Sequence, residues 1–344
     1  MKIGVIAHPD IGNATYRAIA PMLALGELGH EIVHVKVDEK KKLSVSALIG
    51  CDVVHVYRGI TQPGLLKTID ELRRHGVAIT WDDDDDLRLT PPSTPGYKHH
   101  HGGMVLEGTL RWRTAMFLRA DLVTTTTQML ADRFRLQFNG PIEVIENYLD
   151  SSRYARVPRR HEGVTIGWVA AQEHAADVEM LELVPMLRNV LARDERIRVM
   201  TAGIKLNLDR DRYRFTNLVP FKDLPLWLGH LDLGIAPIAD HPMSYARSNV
   251  KVKEYAAAGV PWVASARGSY AGLGAKAGGI TVADGGWEQA LLDVASSRFK
   301  RMRLRRNAES WGKAQHIKHH TARWESVMHM AVDAAQRRAL QPAN

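Results

Sequence analysis

One stretch constrains the chain more than any other, the run from Ser248 to Ser265, SNVKVKEYAAAGVPWVAS. It opens on polar loop residues and continues as an Ala-rich helix. Gly259 then stands where a helix closes in a left-handed turn, and Pro261 prevents continuation. Trp262-Val263-Ala264 restarts the chain as a short buried strand. The helix therefore begins near Ser248, Asn249, Val250 and Lys251, and Glu254 lies about one turn in. Its first N–H groups have no intrahelical partner and its dipole end is positive, so the segment is a ready anion site. A carboxylate one turn along can accept hydrogen bonds from a ribose diol, and the two features together suit a nucleoside diphosphate. The same residues also describe a helix packed on a sheet with Glu254 solvated.

The rest of the chain repeats strand, loop and helix. Residues 2–6 form an apolar strand, the loop His8–Asn13 contains Gly12, and a helix starts near Ala14, which is a doubly wound beginning. There is no G-x-G-x-x-G and hence no dinucleotide fingerprint. Glu31–Lys36 and Asp52–Tyr57 are β-branched runs, and Arg58 ends the second, where open α/β sheets present side chains to ligands. His55 alternates with Val54 and Val56 and reads first as a core histidine. The strand Val77–Trp81 runs into five carboxylates, Asp82, Asp83, Asp84, Asp85 and Asp86. Such a run repels itself. It can bind a divalent cation, hydrogen-bond sugar hydroxyls or supply a base, or form a solvated capping loop.

Residues 90–104, rich in Pro and Gly with His99-His100-His101, read as a loop. A helix over about 105–119, a strand at Ala120–Thr127, a helix at Gln128–Phe138 and a strand at Ile142–Ile145 complete the first half. Ser151–Glu162 is polar and basic, as a linker is. The second half opens on the strand Val164–Ala171, in which Gly167 allows close backbone approach at the strand end. A helix over about 176–191 and a strand at Ile197–Thr201 follow. His174 stands where it can touch a phosphate, and Lys205 is a candidate phosphate cation or a surface lysine.

Composition is that of a globular protein with two domains of ordinary size: 344 residues, 45% hydrophobic and 24% charged. No apolar run approaches a membrane span, the N-terminus enters a strand without a signal peptide, and the single Cys51 excludes an intrachain disulfide or a Cys-based zinc site. A cytoplasmic location is expected. The net charge of +8 is segregated: eleven of 46 Lys/Arg and three of 38 Asp/Glu lie from Arg298 onward, which leaves 35 of each sign before it. The cluster Arg298, Lys300, Arg301, Arg303, Arg305 and Arg306 can meet nucleic acid, an anionic membrane surface or water.

Several segments carry a resemblance. Glu254–Ser265 resembles the "lEymAaGvPvvas" signature of nucleotide-sugar glycosyltransferases of family 4. Ala120–Thr127 is similar to "aDlvtvsT", Ile142–Asp150 to "v-i-p-N-g-v-D", Val219–Leu228 to "v-x-f-x-d-l-p-x-y-l" and Leu231–Pro237 to "a-D-i-g-l-a-P". Trp81–Leu87 resembles a "D-x-D-D-D-L" stretch, Ile166–Asp177 "I-G-W-x-G-x-x-x-H-x-x-D", and Gly12–Arg17 "G-x-x-x-Y-R" in the same group. The resemblance implies two facing Rossmann-like doubly wound domains of the GT-B type: 1–155 for the acceptor, 156–310 for the nucleotide-sugar, and 311–344 as a C-terminal helix crossing back.

It further implies a UDP- or GDP-sugar donor, transfer with retention and no metal. By the same resemblance Glu254 binds the donor ribose, with Ser248, Asn249, Val250, Gly167, Pro220 and Phe221 around the nucleotide; the Arg and Lys that meet the diphosphate in better-known members have no clear match, and Lys205 is the substitute candidate. Asp84, Asp85, His174 and Lys251 become the reacting set, and Gly12, Tyr16, Arg17, Arg58 and Asp83 the acceptor side. Many members carry an earlier Glu, with seven residues between it and the Glu254 position, and that place is Ala246 here, which leaves the donor sugar open. The acceptor is a small molecule, glycan or lipid-linked group; the alternatives are a modified base in nucleic acid gripped by the basic tail, or a sugar-nucleotide-binding protein without activity. Peripheral membrane contact stays open.

Overall fold

The computed structural model describes residues 1–8, 12–35, 37, 45–58, 64–95, 97, 104–154 and 163–340. The loop positions 9–11, the histidine run 99–101 and the linker positions 155–162 lie outside the described residues. The chain divides into two compact units: the first takes 1–85, 103–148 and 317–344, the second 86–102 and 149–316.

The first unit holds β1 (Lys2–Ile6), β2 (Glu31–Val35), β3 (Val53–Tyr57), β4 (Ala78–Asp82), β5 (Leu122–Thr125) and β6 (Ile142–Val144). They form one parallel sheet in the order β2-β1-β3-β4-β5-β6. Between β1 and β2 the chain makes a helical run of three pieces: Gly12–Ala14, a π-helical turn Thr15–Ile19, and Ala20–Glu27 (α1). The helices Leu65–Arg74 (α2), Met104–Phe117 (α3) and Gln128–Arg135 (α4) follow. Thr127 caps α4, its hydroxyl accepting from Leu130 N–H at 3.3 Å. β3 and β4 are buried at every residue, as strands covered on both faces are.

The second unit contains β7 (Val164–Ala170), β8 (Ile197–Gly203), β9 (Tyr213–Thr216), β10 (Leu233–Ala236), β11 (Trp262–Ser265) and β12 (Gly279–Val282), with α5 (Ala175–Met180), α6 (Leu183–Arg193), α7 (Leu224–Gly229), α8 (Pro242–Ala246), α9 (Val250–Ala257), α10 (Trp287–Ser296) and α11 (Arg298–Ala314). The sheet order is β12-β11-β10-β7-β8-β9, all parallel, the doubly wound order that reverses direction between β7 and β10. β7 and β8 pair over seven positions, β7 and β10 over two, Leu233 with Ile166 and Gly234 with Gly167. In doubly wound sheets such a switch point, at the C-terminal ends of the strands, is where ligands bind.

The chain then returns to the first unit through Thr321–Ala339 (α12). Its Trp324, Val327, Met328, Ala331 and Ala335 join the core built on Ile3, Val5, Tyr57 and Ala78.

Two expectations are corrected. The single helix over 176–191 is broken: α5 ends at Met180, Glu182 takes φ +47°, and α6 starts at Leu183. Pro185 is the cause, because its ring would clash with the carbonyl four residues back, at Leu181. Gly167 lies in the middle of β7 rather than at its end, and a Cβ there would fall 2.1 Å from a Leu231 methyl. The glycine makes room for that leucine. β9 and β12 were not anticipated; Tyr-Arg-Phe-Thr at 213–216 carries an aromatic and β-branched signal that a short reading misses.

Candidate functional site

The signature helix α9 forms as its sequence dictates. Asn249 is the N-cap residue and Gly259, at φ +65°, closes the C-terminus. Gly259 N–H bonds to Ala256 O at 2.9 Å and Val260 N–H to Tyr255 O at 2.8 Å, the paired bonds of a Schellman turn. α9 follows β10, and its N-terminus opens beside the end of β7: Lys251 Nζ donates to Val169 O. Tyr255 OH donates to Ile235 O at 2.8 Å and to Gly167 O at 3.3 Å, which pins the helix over both strands. Glu254 is buried on this helix, with 7% of its surface exposed.

A buried ionic network stands at the same strand ends. Asp177, fully buried, accepts from Ala239 N–H at 2.8 Å, His241 Nε2 at 3.0 Å, His174 Nδ1 at 2.7 Å and Arg247 Nη1 at 2.6 Å. Burial pushes the Asp177 carboxyl up, but these donors outweigh it and hold it well below the usual carboxylate range. Arg247 also donates from Nη2 to Glu173 O at 2.9 Å, and its own carbonyl accepts from Ser269 Oγ at 2.6 Å. Burial, with the charges of Arg247 and Lys251, lowers His174 to about 4, so its ring is neutral at pH 7. His174 Nδ1 stands between the Asp177 carboxylate at 2.7 Å and Arg247 Nη1 at 3.1 Å. His174 therefore brings no charge to this end; the cations there are Arg247 and Lys251. Burial lowers Lys251 as well.

The other expected nucleotide residues are dispersed. Lys205 is exposed and lines a cavity of about 550 Å³ in the β8–β9 connection with Arg210, Arg214 and Phe215. Phe221 precedes α7, and the Arg153 guanidinium lies 4.5 Å over its ring while Nη2 donates to its carbonyl at 3.2 Å. Pro220 beside it is exposed, and Ala246, at the place of the absent Glu, is buried at the end of α8.

The carboxylate run, Asp82–Asp85 in the first unit and Asp86 in the second, is not a self-repelling loop. Asp82 takes Arg17 through Nε at 3.1 Å and Nη2 at 2.7 Å, and also accepts from Thr124 Oγ1. Asp83 pairs with Arg113 Nε at 2.7 Å. Asp84 takes Arg58 Nε and Tyr57 OH, the latter at 3.1 Å, and Asp85 takes Arg58 Nη2 at 3.4 Å. Asp86 caps the turn Leu87–Leu89 and holds Arg88 Nη2 at 2.6 Å. Each carboxylate thus has a guanidinium, which is why five can stand in sequence. Among the described residues no group of three or more His, Cys, Asp or Glu side chains is arranged to hold a metal ion.

Arg17 is fully buried, donates further to Ile145 O, Asn147 Oδ1 and Thr125 O, and lies 5.1 Å from the Trp324 ring centroid. It is sealed in the interior rather than presented to an acceptor. Tyr16 is buried one residue earlier in the π-helical turn, and Gly12 begins the helical run at the C-terminal side of β1. His55 is a core histidine, Nδ1 at 2.8 Å from Thr80 Oγ1 and Nε2 at 3.1 Å from Arg17 O. Arg58 keeps 26% of its side chain exposed at the β3 terminus, the placement expected of it. At the neighbouring ends of β4 and β5, Asp83 Oδ1 and Thr126 Oγ1 are buried without a hydrogen-bond partner. Burial raises the Asp83 carboxyl, whereas Arg58 outweighs burial and lowers Asp84.

Sequence reasoning missed Arg247, His241, Arg113 and Arg153 as members of these networks. For Arg247 a signal existed, a cation directly before the Ser248-Asn249 helix start; the others come from distant segments.

No protein-family model and no curated protein sequence matches the chain. Solved structures do resemble it. An α-glucosyltransferase in complex with UDP and a 13-mer DNA containing an HMU base superposes with TM-score 0.63 at 10% identity, over 96% of this chain and 99% of that one. A sucrose-phosphate synthase from Thermosynechococcus elongatus gives 0.62 at 13% identity, over 98% and 99%. HepE of Anabaena in complex with UDP and glucose gives 0.58 at 15% identity, over 95% and 99%. The likeness is one of architecture: two six-stranded parallel sheets in two α/β units, the GT-B arrangement of these glycosyltransferases.

Proposed function

We propose that the chain is a glycosyltransferase that moves a sugar from a nucleotide-diphosphate sugar to an acceptor. One observation carries the reading. At the switch point of the second sheet, the α9 N-terminus, Arg247 and Lys251 bring positive charge together, with Glu254 one turn in. Developing charge on a leaving diphosphate is met there by preorganised N–H groups and two cations. Glu254 takes the ribose diol, and the loop at Pro220 and Phe221 takes the base. UDP is the base-specific choice we favour over GDP, on the UDP complexes of like fold.

Retention and independence from metal belong to the same proposal. Metal independence is supported by the arginine partners of Asp82–Asp86, which occupy the oxygens a cation would need. His174, neutral at pH 7, is suited to hydrogen-bond a hydroxyl of the sugar. The acceptor is assigned to the strand ends of the first unit, where Asp83, Thr126 and Arg58 offer unused or exposed polar groups. Asp84 and Asp85 then hold Arg58 rather than react. No helix among the described residues is long and apolar enough to cross a membrane, and we place the enzyme in the cytoplasm.

A nucleic-acid acceptor is the second reading, favoured by the DNA complex of like fold and the charge segregation beyond residue 297. Calorimetric titration with UDP and GDP, then donor hydrolysis with each sugar nucleotide, tests the main proposal. Absence of binding to every nucleoside diphosphate would remove it. Binding without hydrolysis or transfer would leave a sugar-nucleotide-binding protein.

A further inference from the structure

The basic helix α11 has two faces with different tasks. Its inner face is fixed: Leu304, Ala308 and Gly312 are buried against the second unit. Two arginines of the cluster serve that packing. Arg301 Nη1 donates to Val294 O at 3.0 Å and to Ala295 O, the terminal carbonyls of α10. Arg305 Nε donates to Gly259 O at 3.2 Å, just beyond the end of α9. Both satisfy carbonyls that a helix C-terminus leaves open. Lys300 faces Asp293, 3.9 Å away.

The outer face is of another kind. Phe299 is 84% exposed and Met302 39% exposed, and Arg298, Arg303, Arg306 and Lys313 are exposed beside them. At about 100° per residue, positions 298, 299, 302, 303, 306 and 313 fall within one arc of roughly 140°. The one acid of the helix, Glu309, is half-buried and leans toward Gly259.

We propose that this face docks on an anionic lipid surface. Arg298 and Arg303 flank the arc, and Arg306 and Lys313 lie between the exposed Met302 and Phe299 inside it; long basic side chains reach a charged headgroup layer while the Phe and Met enter the apolar one beneath. Duplex phosphates would reward the arginines but leave Phe299 and Met302 in water. An unpartnered solvated face has no use for a phenylalanine this exposed in the first turn. The inference is independent of the transferase reading, since it uses no residue of the donor site.

The test is sedimentation of the full chain with phosphatidylcholine vesicles, with and without phosphatidylglycerol, across a salt series. Binding is expected to the anionic vesicles and to fade as salt rises. Arg298→Gln, Arg303→Gln and Arg306→Gln should each lower partitioning about fivefold, the equivalent of the energy of one basic residue near an anionic surface. The pair Phe299→Ser and Met302→Ser should weaken binding at every salt concentration, because its loss is not electrostatic. Equal partitioning of wild type and the triple arginine variant would overturn the inference. So would tighter binding to a DNA duplex than to anionic vesicles at the same salt, an outcome that would instead support the nucleic-acid acceptor.

Discussion

Replacement of Arg247 by Ala separates the donor-site reading from a purely structural one. The side chain is 15% exposed and donates to Asp177 at 2.6 Å and to Glu173 O at 2.9 Å. Its loss leaves Asp177 three donors, Ala239 N–H, His241 and His174, so the carboxylate is weakened but not abandoned. The stability loss should be about 1–3 kcal/mol, that of one charged hydrogen bond. A fold with two units of this size tolerates that. If the same guanidinium also meets a diphosphate, nucleotide affinity should fall by a further 1.5–3 kcal/mol or so, roughly 10- to 150-fold in Kd.

Arg247→Lys keeps the charge without the two-pronged fork and should lie between. Asp177→Asn, which touches no ligand, should weaken nucleotide binding too, because it releases Arg247 and His174. Calorimetry with UDP and GDP on protein shown folded by circular dichroism reads both effects. Folded Arg247→Ala with wild-type affinity for both nucleotides would refute the assignment, and the network would then be structural alone.

Glu254→Ala should lower nucleotide-sugar affinity by roughly 1.5–3 kcal/mol with the fold intact, and unchanged donor affinity by calorimetry would sink the ribose assignment. Activity should survive EDTA; restoration by magnesium or manganese after chelation would make the Asp82–Asp86 run a metal site. Arg17→Met should destabilise the protein by about 3–5 kcal/mol in urea unfolding, because it leaves Asp82 charged and fully buried. A loss below about 1 kcal/mol would show that Asp82 is not held as the structure draws it.

Stability should also fall with acid. Burial lowers His55 to about 3 and His174 to about 4 from an unfolded value of 6.5. Below pH 6.5 the unfolded chain takes up protons that the folded one refuses, so stability is full above that pH. It declines toward pH 4 by up to about 1.4 kcal/mol per unit for each ring. His55→Gln should flatten the slope of urea midpoint against pH, and an unchanged slope would count against the neutral buried ring.

The two doubly wound units were legible in the sequence because their evidence is local. β1, β3, β4, β7, β10 and β11 are short apolar or β-branched runs followed by loop and helix, and backbone pairing needs nothing more specific. The α9 closure was legible for the same reason: Gly259 and Pro261 determine it within five residues. The breaking of the 176–191 helix also had a local cause, Pro185, that went unread.

Charge partnership was not legible. Five adjacent aspartates suggested a metal site, hydrogen bonding to an acceptor or a solvated loop, because their repulsion is a sequence fact. Their neutralisation by Arg17, Arg58 and Arg113 spans as many as 65 residues of chain. Arg17 and Arg58 look alike in sequence, yet one is sealed under Trp324 and the other stands at a strand end. Likewise six basic residues in a row of nine looked like one patch, until helical phase and packing turned Arg301 and Arg305 inward to neighbouring carbonyls. By itself the sequence determined most of the strands and helices, where α9 begins and ends, and the excess of positive charge. Only the tertiary structure decided which charges are spent inside the protein and which remain for a ligand, because Coulomb and hydrogen-bond partners are chosen by distance in space, and chain separation says nothing about it.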